Sequence, residues 1–331
     1  MTIKIALFNN KGGVGKTTFL YHISHRLAER GRSVLMVDCD SQCNLTSYTL
    51  NEKAIEKSWS EDGNSIYRAI EPVARTVGDI RDRAPTKVID NLWIVPGDLS
   101  LSGFEDRLGD TWNSAKGGDE PALRAQTAIH RSINKSFAKN ENEFVFVDLG
   151  PNLGALNRSV LSGCDFIIVP VSPDLFSIRG TENLGQKLVK WRKEWDQCKG
   201  AWNGEGLEIP DASPTFLGYV TQQHNIRNNK AGMTQGWQIF GGRIETAVQE
   251  NIVDRLADLG QVGPPTDGSY DLGKIPNLHS LIPYSQKAKL PVFQCTHREG
   301  LVGQHIYKAR DSRNLFDPIA NIIEGLAPAI A

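Results

Sequence analysis

The sequence predicts an α/β protein whose doubly wound, mostly parallel sheet carries helices on both faces. Three observations lead to this prediction. Short apolar, β-branched runs recur along the chain without alternating polar residues, which is typical of strands buried on both faces. Amphipathic helical patterns lie between several of these runs, as crossovers between parallel strands require. The first run leads through a glycine-rich loop straight into the first helical pattern.

The apolar runs predict strands, in chain order, at residues 3–8, 34–37, 92–95, 144–147, 166–169, 216–220 and 280–282. Apolar residues with helical spacing predict helices at 16–30, 65–70, 122–138, 181–195 and 244–259. Segments that are polar or rich in turn formers predict surface insertions at 51–63, 109–120 and 260–273. None of these segments has the composition of a linker, so we expect residues 1–331 to form a single domain.

Composition narrows the function classes. The formal net charge is −1, so no overall field draws the chain to nucleic acid or anionic lipid, and such binding needs a local patch. The chain enters a predicted strand at once and has no apolar run near the ~20 residues that span a bilayer, so we expect a cytoplasmic protein. The cysteines are odd in number and lack C-x-x-C spacing, which indicates free thiols: Cys39, Cys43, Cys164, Cys198 and Cys295.

A phosphate-binding loop follows the first predicted strand. Residues 9–18 read N-N-K-G-G-V-G-K-T-T, and the glycines let backbone N–H groups close around phosphate oxygens at a helix N-terminus. Lys16 would reach the β- and γ-phosphates, and the Thr17 hydroxyl would ligate Mg²⁺. A chance glycine-rich turn is the alternative, which the flanking strand and helix disfavour. The residues expected to bind the nucleotide are Lys11, Gly12, Gly13, Val14, Gly15, Lys16, Thr17 and Thr18.

This loop resembles the deviant Walker A motif of the ParA/MinD/Soj family of P-loop ATPases, and most closely that of the ParA-like partition ATPases. Asn10 stands where the common motif has its first glycine, and the remaining K-G-G-x-G-K-T-T pattern carries a second lysine, Lys11. The resemblance implies a P-loop NTPase fold and an ATP-dependent homodimer that sandwiches two nucleotides. In such a dimer, Lys11 reaches the nucleotide of the other subunit.

Two carboxylate clusters follow predicted strands. The first reads D-C-D-S-Q-C-N from Asp38 and resembles the family's D-x-D-P-Q-G-N segment, with Ser41 and Cys43 as departures. The resemblance implies that Asp40 orients the water that attacks the γ-phosphate and belongs to the metal site. It makes Asp38 either a magnesium-side group or a structural partner. Solvated aspartates in a strand-end turn are the alternative.

The second cluster has the Walker B pattern, in which an apolar strand ends in the aspartate that holds Mg²⁺, here Asp148. The family usually continues D-x-P-P, whereas Gly150 replaces the first proline here, so a more mobile loop is expected. The resemblance implies slow ATP hydrolysis in which Asp40 positions water, Lys16 and Mg²⁺ neutralise the phosphates, and Lys11 adds charge in trans. We expect a ParB-like or other activating protein to raise turnover.

Two later segments resemble the family's base pocket. In residues 217–223, Gln222 takes the place of an asparagine that contacts the base. Residues 282–292 resemble an I-P-x-S…P-V segment, which makes Pro283 a candidate lining residue. The sequence also contains no N-K-x-D motif for guanine, so ATP is favoured over GTP.

The sequence offers candidate surfaces for a larger partner. The candidate DNA contacts are Arg227, Lys230 and Arg243, with Lys187, Lys190 and Lys193 as a second patch. A solvated helix face is the alternative for the three lysines. The tail at 314–331 contains neither lysine nor arginine, so it lacks the cationic face that binds anionic lipid.

Three hypotheses for the biological role remain open. The first is a ParA-like ATPase that binds DNA nonspecifically as an ATP dimer and positions or segregates DNA or another cargo. The second is an ATP-gated protein-interaction switch, regulatory or defensive, without DNA binding. The third is a membrane-associated positioning ATPase. Salt-sensitive DNA binding in ATP, nucleotide-gated binding to a protein alone, and liposome co-sedimentation would distinguish them.

Overall fold

The computed structural model describes residues 2–137, 142–210, 214–224, 235–278 and 280–327. Within these ranges one eight-stranded sheet has the order β3-β4-β2-β5-β1-β6-β7-β8. All neighbours pair in parallel except β3 and β4, which are antiparallel. The strands are β1 Ile3–Leu7, β2 Val34–Asp38, β3 Thr86–Ile89, β4 Leu92–Val95, β5 Phe144–Asp148, β6 Phe166–Val171, β7 Thr215–His224 and β8 Asp271–Pro276.

Helices connect these strands. Those of the first half are α1 Lys16–Glu29, α2 Asn44–Thr49, α3 Glu52–Trp59, α4 Ile66–Ala74, α5 Leu101–Asp110, α6 Trp112–Lys116 and α7 Glu120–Phe137. Those of the second half are α8 Ala155–Leu161, α9 Leu175–Ala201, α10 Gln235–Val248, α11 Asp254–Ala257, α12 Leu281–Ala288, α13 Gln304–Asp311 and α14 Arg313–Gly325. A π-helical turn at Gln249–Val253 joins α10 to α11. No described helix is both long enough and apolar enough to span a bilayer.

Successive residues of the central strands pack into two different cores. On β1, Ala6 belongs to the core that includes side chains of α4, α5, α7 and α9. Its neighbours Ile5 and Leu7 belong to the core that includes side chains of α1 and α14. Because both faces of the sheet are covered, these strands are mainly apolar, and Asp38 and Asp148 come only at the carboxyl ends of β2 and β5. The doubly wound α/β fold is therefore confirmed.

The strand predictions hold for every run except 280–282. Residues 281 and 282 begin α12 instead, and Pro283 fits there because the first turn of a helix does not use its N–H groups. Two strands were missed. The edge strand β3 is short and only half-buried, so its sequence T-K-V-I contains polar residues. Strand β8 contains aspartate, glycine, lysine and proline. Neither strand therefore has the apolar run from which the other strands were predicted.

The predicted insertions are more ordered than loops. Residues 51–63 contain α3, which Asn51 caps by accepting a hydrogen bond from the Ala54 N–H. Residues 109–120 contain α6, and residues 260–273 reach the sheet through a bridge between Val262 and Phe216 and through the start of β8. The structure of these segments depends on local helix caps and on long-range strand pairing, and their polar composition shows neither.

Candidate functional site

The carboxyl ends of β1, β2 and β5 open onto a cavity of about 620 Å³. Parallel register brings the ends together, because Asp148 at the end of β5 pairs with Leu7 of β1 and with Asp38 of β2. Ligands of open α/β sheets bind outside the carboxyl ends of the strands. The cavity is lined by Gly12, Gly13, Val14, Gly15, Lys16, Thr17, Thr18, Asp40, Gln42, Asn44, Ser47, Tyr48, Pro151, Gln286 and Lys289.

The loop between β1 and α1 forms one wall of this cavity. Gly13 and Gly15 have φ angles of 72° and 86°, a left-handed conformation that a side chain would strain. Gly15 directly precedes the first residue of α1, so the loop delivers its backbone to the N-terminus of a 14-residue helix. That arrangement suits a bound anion such as a phosphate group.

Lys16 lies buried at the base of the loop. Its Nζ donates to the carbonyl oxygens of Asn9 at 3.2 Å and Lys11 at 3.3 Å, both within the same loop. Burial lowers the pKa of Lys16, and the nearby carboxylates of Asp148 and Asp40 oppose that shift. The ammonium group is thus held by loop carbonyls at the place where phosphate oxygens would arrive.

Thr17 and Asp148 form a pair suited to a divalent cation. The Thr17 hydroxyl donates to Asp148 Oδ2 at 2.6 Å, while Asp148 Oδ1 is buried without a hydrogen-bond partner in the described part of the chain. Burial raises the pKa of Asp148 to about 8, and the nearby Asp38 carboxylate adds to the shift. An orphaned carboxylate oxygen beside a hydroxyl oxygen fits the hard oxygen ligands that Mg²⁺ prefers.

The two aspartates after β2 have different surroundings. Asp38 is fully buried, and its carboxylate accepts hydrogen bonds from the Thr46 N–H at 2.8 Å, the Thr46 hydroxyl at 2.7 Å and the Asp40 N–H at 3.2 Å. Burial raises the pKa of Asp38 to about 6. These contacts favour the structural alternative for Asp38. Asp40 lines the cavity, where its Oδ1 accepts from the Gln42 N–H at 3.0 Å.

Lys11 does not line the cavity. Its Nζ forms an ion pair with Asp174 and also contacts Ser177 Oγ at 3.4 Å. Asp174 is the N-cap of α9 and accepts from the Ser177 N–H at 3.0 Å. Burial would raise the pKa of Asp174, but hydrogen bonds from Lys11 and the Ser177 N–H outweigh it and lower that pKa. The second lysine of the loop is therefore held within its own subunit.

The predicted base contacts are not brought into the cavity. Gln222 is buried in β7, and its Nε2 has no hydrogen-bond partner among the residues described. Pro283 lies inside α12. The residues of this segment that line the cavity are Gln286 and, at the C-terminal end of the helix, Lys289. The Ile-Pro pair beside Gln222 is Ile275–Pro276 at the end of β8. Strand β8 was not predicted because it lacks an apolar run.

Outside the cavity, the remaining predicted residues divide into three groups. Arg227 and Lys230 lie outside the described residues, and Arg243 is exposed on α10. On α9, the Lys190 Nζ lies 3.9 Å from Glu194 Oε1, and the apolar side chains of that helix are buried: Leu184, Leu188, Trp191 and Trp195. All cysteines lie within the described ranges, and each is a buried free thiol.

Comparison with known proteins identifies the family of this chain. The family model AAA_31, described as an AAA domain, matches residues 2–198, which is more than half of the chain. The chain is 27% identical over 180 residues to the sporulation initiation inhibitor protein Soj of Bacillus subtilis. It is 26% identical over 188 residues to the chromosome partitioning protein ParA of Caulobacter vibrioides. These matches span 54% and 57% of this chain and 62% of each relative's own length.

Solved structures show the same fold over most of the chain. Protein DIP2308 from Corynebacterium diphtheriae superposes with a TM-score of 0.68 at 27% identity, covering 87% of this chain and 97% of that one. An ATP complex of McdA from Cyanothece has a TM-score of 0.63 at 11% identity, covering 98% and 96%. A plasmid partition protein from Borrelia burgdorferi has a TM-score of 0.53 at 17% identity, covering 87% and 97%.

Proposed function

The chain belongs to the ParA/MinD family of P-loop ATPases, and from that premise we propose that it is a Mg-ATP-dependent ATPase that dimerises around two nucleotides. The observation that carries the proposal is that four side chains from the ends of β1, β2 and β5 meet at one cavity: Lys16, Thr17, Asp40 and Asp148. Phosphoryl transfer to water requires a loop that binds the phosphates, oxygen ligands for Mg²⁺ and a carboxylate near the attacking water. Thr17 and Asp148 would be the ligands, and Asp40 would be the carboxylate.

The residues divide the work of ATP hydrolysis among them. The amides of the loop and the Lys16 ammonium bind and orient the phosphates, and their positive charge stabilises the γ-phosphate oxygens as hydrolysis proceeds. Mg²⁺, held by Thr17 and Asp148, would supply further charge neutralisation at the phosphates. Asp40 accepts a hydrogen bond from the attacking water and orients it toward the γ-phosphate. We propose that adenine is bound beside Pro276 and Gln222, whose Nε2 has no hydrogen-bond partner among the residues that the structure describes.

Dimerisation would recruit Lys11. In the isolated subunit this lysine is paired with Asp174, so it must leave that carboxylate before its ammonium can reach the nucleotide of a second subunit. We propose that Lys11 changes its partner when the dimer forms: it binds the Asp174 carboxylate in the resting chain and the partner subunit's phosphates in the ATP dimer. A positive charge supplied in trans acts as an arginine finger does, which is worth roughly 10³–10⁵ in rate in other NTPases.

For the role of the dimer, we propose nonspecific DNA binding and positioning of DNA or another cargo, with an activating protein that stimulates hydrolysis. Soj and ParA, which this chain resembles, are named for sporulation control and chromosome partitioning. Two apposed subunits would double any weak phosphate contact, including that of the exposed Arg243. Further candidate phosphate contacts are the exposed Arg298, which precedes α13, and the exposed Lys308 and Arg310 on α13.

The test uses the Asp40→Ala variant, which should bind ATP without hydrolysing it. Light scattering after size exclusion, in ATP and in ADP, should show a dimer in ATP alone, and that dimer should hold DNA at low salt and release it at high salt. A Lys16→Ala variant is the control that should remain monomeric in both nucleotides. An ATP dimer that is indifferent to DNA at both salt concentrations would favour the protein-interaction switch, and a monomer in ATP would refute dimerisation.

A further inference from the structure

The loop that follows β5 lies between Asp40 and the phosphate loop. A Cβ placed on Gly150 would lie 3.2 Å from Asp40 Oδ1, so the backbone of Gly150 is in close approach to that carboxylate. The next residue, Pro151, lines the cavity, and a Cβ placed on Gly12 would lie 3.9 Å from its ring. The position of this short loop therefore sets the space that a γ-phosphate and its attacking water would occupy.

One buried side chain holds the loop. Asn157 of α8 is 1% exposed, and its Nδ2 donates to the carbonyl oxygen of Gly150 at 2.9 Å. The same nitrogen donates to Asn152 O at 2.7 Å and contacts Asn152 Oδ1 at 2.9 Å. The bonds thus reach both sides of Pro151. The sequence predicted a more mobile loop because a proline is lost at position 150, and Asn157 supplies a restraint that the motif did not show.

These contacts form a continuous chain from a helix to the reacting groups. Asn157 fixes the carbonyl of Gly150, Gly150 approaches Asp40, and Pro151 faces Gly12 of the phosphate loop. Asn157 itself does not line the cavity, so any effect on hydrolysis passes through the loop. An amide is suited to this position because its NH₂ group donates to carbonyl oxygens, whereas a carboxylate of the same shape only accepts.

We propose that Asn157 is a positioning residue that fixes the Gly150–Asn152 loop and thereby aligns Asp40 and the wall of the γ-phosphate site for hydrolysis. The inference rests on the proposed ATPase function for its catalytic consequence. Its structural consequence, a restrained loop, stands apart from whether ATP is hydrolysed. The loss of a geometric restraint near reacting atoms is expected to lower turnover much more than ground-state binding.

The experiment compares Asn157→Asp with Ser159→Ala. Ser159 lies on the same helix and is equally buried, but its hydroxyl donates to the Gln126 carbonyl at 2.7 Å, away from the loop. In Asn157→Asp we expect kcat for ATP to fall on the order of 10–100-fold while KM changes less than about threefold. Ser159→Ala should leave both constants near those of the unaltered protein. Hydrogen exchange measured by mass spectrometry should become faster at 149–154 in Asn157→Asp alone.

The outcomes separate this inference from the proposed function. If the unaltered protein does not hydrolyse ATP, the proposed function fails, and hydrogen exchange alone still decides the restraint. Equal changes in Asn157→Asp and Ser159→Ala, or an unchanged kcat with faster exchange, would overturn the positioning role. If Asn157→Asp does not fold, Asn157→Ser keeps one hydroxyl donor, and the same comparison of kcat with KM applies to it. A fall in kcat matched by an equal rise in KM for that variant would contradict the proposal.

Discussion

The ion pair between Lys11 and Asp174 gives the sharpest test of how the dimer forms. Asp174→Asn removes the charge but keeps a side-chain oxygen that can cap α9 through the Ser177 N–H. The side chains of the pair are 28% and 34% exposed, so the pair stabilises the resting chain by about 0.2–1 kcal/mol. Because a dimer would break two pairs, the substitution should favour dimerisation by roughly twice that amount, or about 2- to 30-fold in Kd.

The assay is sedimentation of the Asp40→Ala protein in ATP with and without Asp174→Asn. The control is Asp196→Asn, which removes the same charge from the same helix, where Asp196 pairs with Arg192 at 3.0 Å. The control should leave the dimer Kd unchanged, and raising the salt concentration should shrink the effect of Asp174→Asn. A dimer that is equally strong or weaker in Asp174→Asn, at unaltered ATP affinity and thermal stability, would refute the exchange of partners by Lys11.

Three further predictions concern the site and the core. Lys16→Ala should weaken ATP binding by at least tenfold in calorimetry, since its ammonium is the buried cation of the loop; near-normal affinity would contradict the site. Lys11→Ala should keep ATP affinity but lose the dimer or its stimulation, and a stable ATP dimer with full stimulation would exclude a trans role. Burial lowers the pKa of His22 to about 4 and that of His25 to about 3. As the pH falls from about 6.5 to 4, these histidines are therefore protonated in the unfolded chain but stay neutral in the folded chain. In urea titrations the unaltered protein should therefore lose on the order of 3 kcal/mol more stability over that range than His25→Phe does, whatever the opposing contribution of Asp38 and Asp148, whose pKa values burial raises; parallel pH profiles for the two proteins would contradict it.

The tertiary structure explains why the segment with the letters of the base-pocket motif is a helix and not part of the strand beside Gln222. Residues 282–285 match a motif by their letters, but they lie in α12 because β8 ends earlier, at Pro276. The strand that carries Ile275 and Pro276 contains polar residues and glycine, and it pairs beside Gln222 only through its register with β7. A short pattern cannot specify which neighbouring strand a segment will join, because register depends on contacts across the whole sheet.

The sequence by itself determined what is local. The phosphate loop is contiguous, its glycines define its backbone angles, and the apolar strands could only be buried on both faces. The tertiary structure decided which distant groups meet. It paired Lys11 with Asp174, set Asp148 beside Thr17, and placed Asn157 under the loop that approaches Asp40. These contacts follow from strand order and helix packing, which bring together residues that are up to 163 positions apart and share no local pattern.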